Sequence, residues 1–409
     1  MRCTRRQFLM HSAAVYSALG MAPSFLAQAA GEAARAIEGF EDDRVLVVVQ
    51  LGGGNDGLNT VVPHNNDLYY RLRPTLGLKK DRLLRLDDDF GLNRSMEGLL
   101  RLYDEGKAAI IHGVGYPNPD RSHFRSMEIW HTASDADEYL GHGWIGRYFD
   151  NCCNGRPRPQ AGVALGNERP QAFEGRKGLG ISTADPRRFG WIAGEAADNA
   201  DHFARLNAPA LPAKNASLDF LRHTTQNAVR SSTEVQAAAE RGGVGALVGG
   251  KKAGADQLSM VAGLIRGGLS TRIYYVSVSG FDTHSGQLAR QDRLLALVGE
   301  SLLNFQRQLE HDGTADRVVT MVFSEFGRRV AENGSGGTDH GTAAPLFLIG
   351  SNIRPGMHGR MPALDDLDAG DLKYTTDFRA VYATLLERWL NADSTAVLHH
   401  RHELLPLLA

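Results

Sequence analysis

Five short segments of this chain gather the residue types that hydrolytic and metal chemistry need. They are Gly52-Gly53-Gly54-Asn55-Asp56-Gly57, Asn118-Pro119-Asp120-Arg121-Ser122, Gly280-Phe281-Asp282-Thr283-His284, Ser324-Glu325-Phe326-Gly327-Arg328 and Gly336-Gly337-Thr338-Asp339-His340-Gly341. Asp56, Asp282, His284, Glu325 and His340 offer carboxylate oxygens and imidazole nitrogens, a donor set suited to one or two divalent ions of zinc, manganese, magnesium or calcium. For Asp56 the competing role is a turn aspartate bonded to its own backbone. Asp339 has the option of orienting His340 instead of coordinating an ion. Ser122 stands where a loop turns into a helix, and backbone N–H groups there favour an anion. A serine so placed can attack a phosphoryl or sulfuryl centre, with Ser126 as the alternative nucleophile, or it can simply cap the helix. Arg121 and Arg125 carry the planar guanidinium that clamps a tetrahedral oxyanion.

Other chemistries fit less well. Gly52, Gly54 and Gly57 satisfy G-x-G-x-x-G after an apolar run, which makes a nucleotide-binding oxidoreductase the third reading. Leu58 to Pro63 does not open as a helix that could hold a pyrophosphate, and a carboxylate at Asp56 would repel one. The region some twenty residues on, Tyr70 to Leu78, lacks the acidic strand end that a ribose needs. The serine-hydrolase elbow G-x-S-x-G is absent, as is any C-x-x-C pair for zinc or iron–sulfur. Cys152 and Cys153 are adjacent, so the chain is not a disulfide-stapled fold.

These polar segments need elements to hold them, and the apolar runs that precede them supply the elements. Arg44 to Gln50, Ala108 to Ile111, Arg272 to Val278 and Arg317 to Phe323 are β-branched or aliphatic runs of the kind found in strands buried on both faces. Each ends in one of the polar loops. Met96 to Tyr103 reads as a helix, and Gln287 to His311 places Leu294, Leu295, Val298, Leu302, Phe305 and Leu309 at helical spacing. Strands alternating with helices predict a three-layer α/β/α sandwich with a mainly parallel sheet, and its ligand lies beyond the carboxyl ends of the strands. Residues from about 190 to 255 are richer in Ala, Asn, Gln and Glu and predict a helical insertion.

The chain has 409 residues, 42% hydrophobic and 22% charged, with 46 glycines, enough to bury one large core. Its formal charge of -2 lacks the basic field of a general nucleic-acid binder. The first 29 residues predict a cleaved signal. Arg5-Arg6-Gln7-Phe8-Leu9 resembles a twin-arginine export motif, and Ala27-Gln28-Ala29 gives small residues at cleavage spacing. The expected location is therefore periplasmic or secreted. Removing Arg2, Arg5 and Arg6, with no acidic residue among 1–29, takes 45 basic against 47 acidic residues to 42 against 47, a charge of -5. No stable membrane span is expected after signal removal. The mature domain is predicted over 30–409.

Taken together, VLVVVQLGGGNDGLNTVVP, GYPNPDRSHFRSMEIWHTA, SGFDTHSGQ, FSEFGRRVAENGSGGTDHGTAAPLFLIG and YTTDFRAVYATLLERWL resemble the exported bacterial family DUF1501. That family in turn resembles the alkaline phosphatase superfamily of phosphatases, sulfatases, phosphoglycerate mutases and phosphonate hydrolases. The resemblance implies an alkaline phosphatase-like fold and a metal-dependent hydrolase acting on a small-molecule or polymer ester, with no nucleic acid. It implies Asp56 as first strand-end ligand, Ser122 as nucleophile, Asp282 and His284 as an Asp/His pair, and His340 as the late histidine. Glu325-Phe326 stands where the superfamily has Asp-His. One imidazole is thereby lost, which fits a single-metal enzyme, an altered specificity, or a catalytically silent metal-binding or surface-assembly protein. The C/S-x-P-x-R pattern of formylglycine sulfatases is absent, because Pro117 stands where the modified residue belongs.

Overall fold

The computed structural model describes residues 42–152, 159–176, 180–190, 216–245 and 253–409. The expected signal at 1–29 lies outside them, as do residues 191–215 and 246–252 of the expected helical insertion.

Alternation along the first strand, β1 (Val45–Gly52), sets the architecture. Val45, Val47 and Val49 point into one core with Leu99, Val261 and Phe305, while Leu46 and Val48 point into a second with Ile129, Trp130 and Tyr148. A strand buried on both faces needs apolar residues at every position, which the run Val45 to Val49 provides. Each such side chain contributes about 1.5–3 kcal/mol by leaving water.

β1 is central to a nine-stranded sheet with β2 (Ala108–Gly115), β3 (Gly162–Leu165), β4 (Ile181–Thr183), β5 (Ile273–Ser279), β6 (Val318–Phe323), β7 (Ala344–Ile349), β8 (Gly356–His358) and β9 (Thr376–Asp377). The order across the sheet is β8-β2-β7-β6-β1-β5-β3-β4, with β9 also paired to β2. β1 runs parallel to β5 and β6, whereas β7 is antiparallel to both β2 and β6. Hence β1, β2, β5 and β6 share one direction, and their carboxyl ends open on one edge, where ligands of such sheets bind.

Helices cover both faces. α1 (Glu97–Asp104), the described helix Ala216–Arg241, Ala253–Arg266 and the 25-residue Gln287–His311 lie on the Val45 side. His123–Thr132, Trp144–Cys152 and Phe378–Thr384 lie on the Leu46 side. The structure is thus the α/β/α sandwich that the alternating pattern predicts, with one reversed strand. Among the described residues no helix is long and apolar enough to cross a membrane.

Candidate metal centre

Four carboxyl-edge loops meet at Asp282. The first turn, after β1, can come this close only because Gly53 has no side chain. At φ +115° a Cβ on Gly53 would fall 2.4 Å from the Asp282 amide nitrogen. Gly337 plays the same part opposite, since a Cβ there would fall 2.3 Å from the His284 carbonyl carbon. Arg328, fully buried, ties the loops together. It donates to the carbonyls of Gly53, Gly54, Thr338 and Phe281 and, at 2.7 Å, to Asp282 Oδ1.

Three imidazoles face that oxygen. Nε2 of His284, His340 and His123 lie 3.0, 3.2 and 3.6 Å from Asp282 Oδ1. In each ring the other nitrogen is occupied by an oxygen that can only accept. His123 Nδ1 meets Glu325 Oε1 at 2.8 Å, His340 Nδ1 meets the Arg121 carbonyl at 2.7 Å, and His284 Nδ1 meets Asp339 Oδ1 at 3.2 Å. The proton of each neutral ring therefore sits on Nδ1, and all three Nε2 lone pairs turn inward. Burial opposes ionisation of Asp282, but the hydrogen bond and charge of the Arg328 guanidinium outweigh it and hold the carboxyl at about 2, so it too is an electron-pair donor. The Glu325 hydrogen bond raises the His123 pKa against the effect of burial, while burial lowers that of His340.

Converging donor atoms of this kind can hold a cation. His123, Asp282 and His340 each offer a ligand atom within 4.8 Å of the others, and His123 Nε2 is buried without a hydrogen-bond partner. This set fits a divalent ion of the zinc or manganese kind, with Glu325, Asp339 and the Arg121 carbonyl as the outer oxygens that orient ligating histidines.

The residues expected from sequence are distributed unevenly around this cluster. Asp282, His284 and His340 are in it. Glu325, 2% exposed, touches it through His123, and its Oε1 also accepts from the Gly53 amide at 2.8 Å. Asp56 is turned elsewhere. Its carboxylate is buried against Arg73, with Nη1 to Oδ2 at 2.6 Å, and Gln287 donates to the same oxygen. Ser122 links Arg121, whose carbonyl holds His340, to His123. Its side chain is exposed and makes no capping hydrogen bond to the helix it precedes. Ser126 instead is buried, bonded to Tyr116 and to the Asp120 carbonyl. The Arg121 guanidinium is ion-paired with the buried Asp371, at the wall of a ≈ 620 Å³ cavity that also reaches Phe326.

His123, the neighbour of a serine, is the feature of the centre that sequence reasoning misses, although a third histidine at a strand-end loop is the available signal. Phe326, the neighbour of Glu325, lines the centre as well. Its ring, 3% exposed, packs 4.9 Å from the His123 ring and 4.8 Å from that of His340, so hydrocarbon covers one side of the cluster.

Fold and cluster together define an α/β protein with a candidate His/Asp metal centre at the carboxyl edge of its sheet. The chain belongs to the DUF1501 family of proteins of unknown function, whose model matches residues 43–400. No curated protein matches it in sequence. Among solved structures it is similar to the lipoteichoic acid synthase LtaP from Listeria monocytogenes, at 11% identity and a TM-score of 0.33, over 77% of this chain and 66%, just under two thirds, of that one. It is similar also to an alkaline phosphatase superfamily protein from Vibrio parahaemolyticus, at 9% identity and TM-score 0.37, over 88% of this chain and 70% of that one. A third is the C-terminal periplasmic domain of EcEptC from Escherichia coli, at 10% identity and TM-score 0.39, over 88% and 87%.

Proposed function

We propose that this chain is an exported, metal-dependent hydrolase of phosphate or sulfate esters with Ser122 as nucleophile. The observation that carries the reading is the inward turn of three Nε2 lone pairs onto the ionised Asp282, next to a serine whose hydroxyl has no structural task. His123, Asp282, His284 and His340 would hold one divalent ion, which when bound supplies a positive charge opposite the developing oxyanion. The Phe326 ring against His123 and His340 supports one ion in place of two.

The chain's own groups do the rest. Ser122 Oγ would attack phosphorus or sulfur, forming a seryl ester as the bond to the leaving alcohol breaks, and water would then release the acid. The amino end of helix His123–Thr132 faces the same side and favours the anionic group. The ≈ 620 Å³ cavity lined by Tyr116, Asn118, Arg121, Asp371 and Tyr374 takes the remainder of a small-molecule or polymer ester. The twin-arginine resemblance of the first residues supports a periplasmic or secreted location for this activity.

A second reading, a catalytically silent metal-binding protein, is favoured by one observation. Arg121, the expected oxyanion clamp, is drawn onto Asp371. One experiment separates the two: metal analysis of the purified protein with aryl phosphate and aryl sulfate hydrolysis, comparing wild type, Ser122→Ala and His123→Ala. Bound metal with turnover lost in both variants supports the hydrolase. Bound metal with no turnover in any of the three supports the silent protein. Turnover retained in Ser122→Ala excludes the seryl route.

A further inference from the structure

We infer that Asp56 serves the centre from behind, as a positioning residue whose carboxylate sets, through Gln287, the spacing of the two loops that carry Asp282, His284 and His340. The inference rests on reading that cluster as a metal centre.

The link is continuous. Gln287 opens the long helix Gln287–His311 and is fully buried. Its amide nitrogen donates to Asp56 Oδ2, and its amide oxygen accepts from Thr283 Oγ1 at 3.2 Å and Thr338 Oγ1 at 2.6 Å. Thr283 lies between Asp282 and His284, and Thr338 immediately precedes Asp339 and His340. One side-chain amide thus spans the two loops whose Nε2 atoms must converge. Thr338 is further tied by its amide to the Thr283 carbonyl at 3.3 Å.

What keeps that amide in register is the ion pair behind it. The amide faces the two hydroxyls with its oxygen while its nitrogen donates on the other side to Asp56, its close acceptor, with Gln291 Oε1 more distant at 3.4 Å. Asp56 is itself fixed by Arg73, with both side chains 0% exposed. Arg73 also donates to the Val330 and Arg329 carbonyls, each at 2.8 Å. The Arg329 amide in turn donates to the Asp339 carbonyl at 3.0 Å. The pair therefore holds the His340 loop from two directions, through Gln287 and through the Arg329 backbone. A second rung, Gln291 Nε2 to the Asp56 carbonyl at 2.9 Å, fixes the turn after β1 to the same helix. Outer-shell groups of this kind shape metal affinity without touching the ion.

The test is cobalt(II) binding by the full chain, read as affinity and as the visible absorption of the bound ion, which reports coordination geometry. Thr338→Val removes one hydroxyl at nearly constant shape. Gln287→Leu removes the whole link and leaves the Asp56–Arg73 pair. Both variants are expected to weaken cobalt binding by about 10–100-fold and to change the spectrum. Affinity and spectrum unchanged in both, even with a lowered melting temperature, would overturn the inference. So would loss of binding in Asp56→Asn while both link variants bind normally, since Asp56 would then be a direct ligand. Failure of the wild-type chain to bind cobalt would refute the metal centre itself, and the inference with it.

Discussion

Nε2 of His284 and Nε2 of His340 stand 3.0 Å apart. With each Nδ1 proton given to Asp339 or to the Arg121 carbonyl, the two nitrogens can share that distance only if a proton or a metal ion lies between their lone pairs. Zinc or cobalt added to chelator-stripped protein is therefore expected to raise its melting temperature, equivalent to about 2.7 kcal/mol when the ion is at 100 times its dissociation constant. Calorimetry with and without the ion checks this. His340→Ala should abolish the rise, and an unchanged rise in that variant would locate the metal elsewhere.

Glu325 does for His123 what Asp339 does for His284. Glu325→Gln keeps the size but gives the His123 N–H a neutral acceptor instead of a carboxylate. Metal affinity is expected to fall by about 10–100-fold. Titration calorimetry on the variant would show it, and an affinity equal to wild type would mean that His123 does not ligate.

Ser122→Ala separates nucleophile from helix cap. A capping serine costs about 0.5–2 kcal/mol when replaced by alanine. Here the hydroxyl makes no capping bond, so stability in urea should change by less than about 0.5 kcal/mol while ester turnover is lost. A variant that is destabilised yet fully active would reverse the assignment.

The Asp56–Arg73 pair predicts strong coupling. Removing either partner strands a charge with no exposure, and Asp56→Ala or Arg73→Leu should each cost about 3–5 kcal/mol. The double variant should cost clearly less than the two single costs added together, as measured by a denaturation cycle. Additive costs would mean that the partners do not stabilise each other.

His112 gives the acid limit of stability. It is 4% exposed on β2 against the Phe90 ring, and burial pushes its pKa from 6.5 down to about 4. A histidine depressed in the folded state binds its proton more readily when unfolded. Its stabilising contribution is thus complete above about pH 6.5 and is lost as pH falls from 6.5 to 4, up to about 3 kcal/mol. Unfolding free energies at pH 7, 5.5 and 4.5 should show a shallower acid loss in His112→Leu than in wild type. Parallel curves would remove His112 as the cause.

The elements that place the centre were legible because each obeys one simple period. The continuous aliphatic run of β1, the strands at 273–279 and 318–323 and the helix Gln287–His311 fall where hydrophobic spacing puts them. The convergence of Asp282, His284 and His340 followed from strand ends sharing an edge. What spacing does not encode is which polar groups pair once they meet. Arg73 lies 17 residues beyond Asp56 in a stretch with no strand or metal signature, yet its buried guanidinium claims that carboxylate. His123 was masked by the serine beside it. Phe326 is visible in sequence beside Glu325, but only packing shows its ring lying against both the His123 and the His340 imidazoles.

The reversed strand β7 has a practical consequence. Because it enters the sheet at the metal edge and leaves at the opposite one, Gly350, whose amide is bonded to the Lys107 carbonyl just ahead of β2, begins a turn on the far side of the molecule. Ser351 in that turn is exposed. A tether or fluorophore attached there would present the protein on a sensor surface with its ligand-binding edge directed into solution.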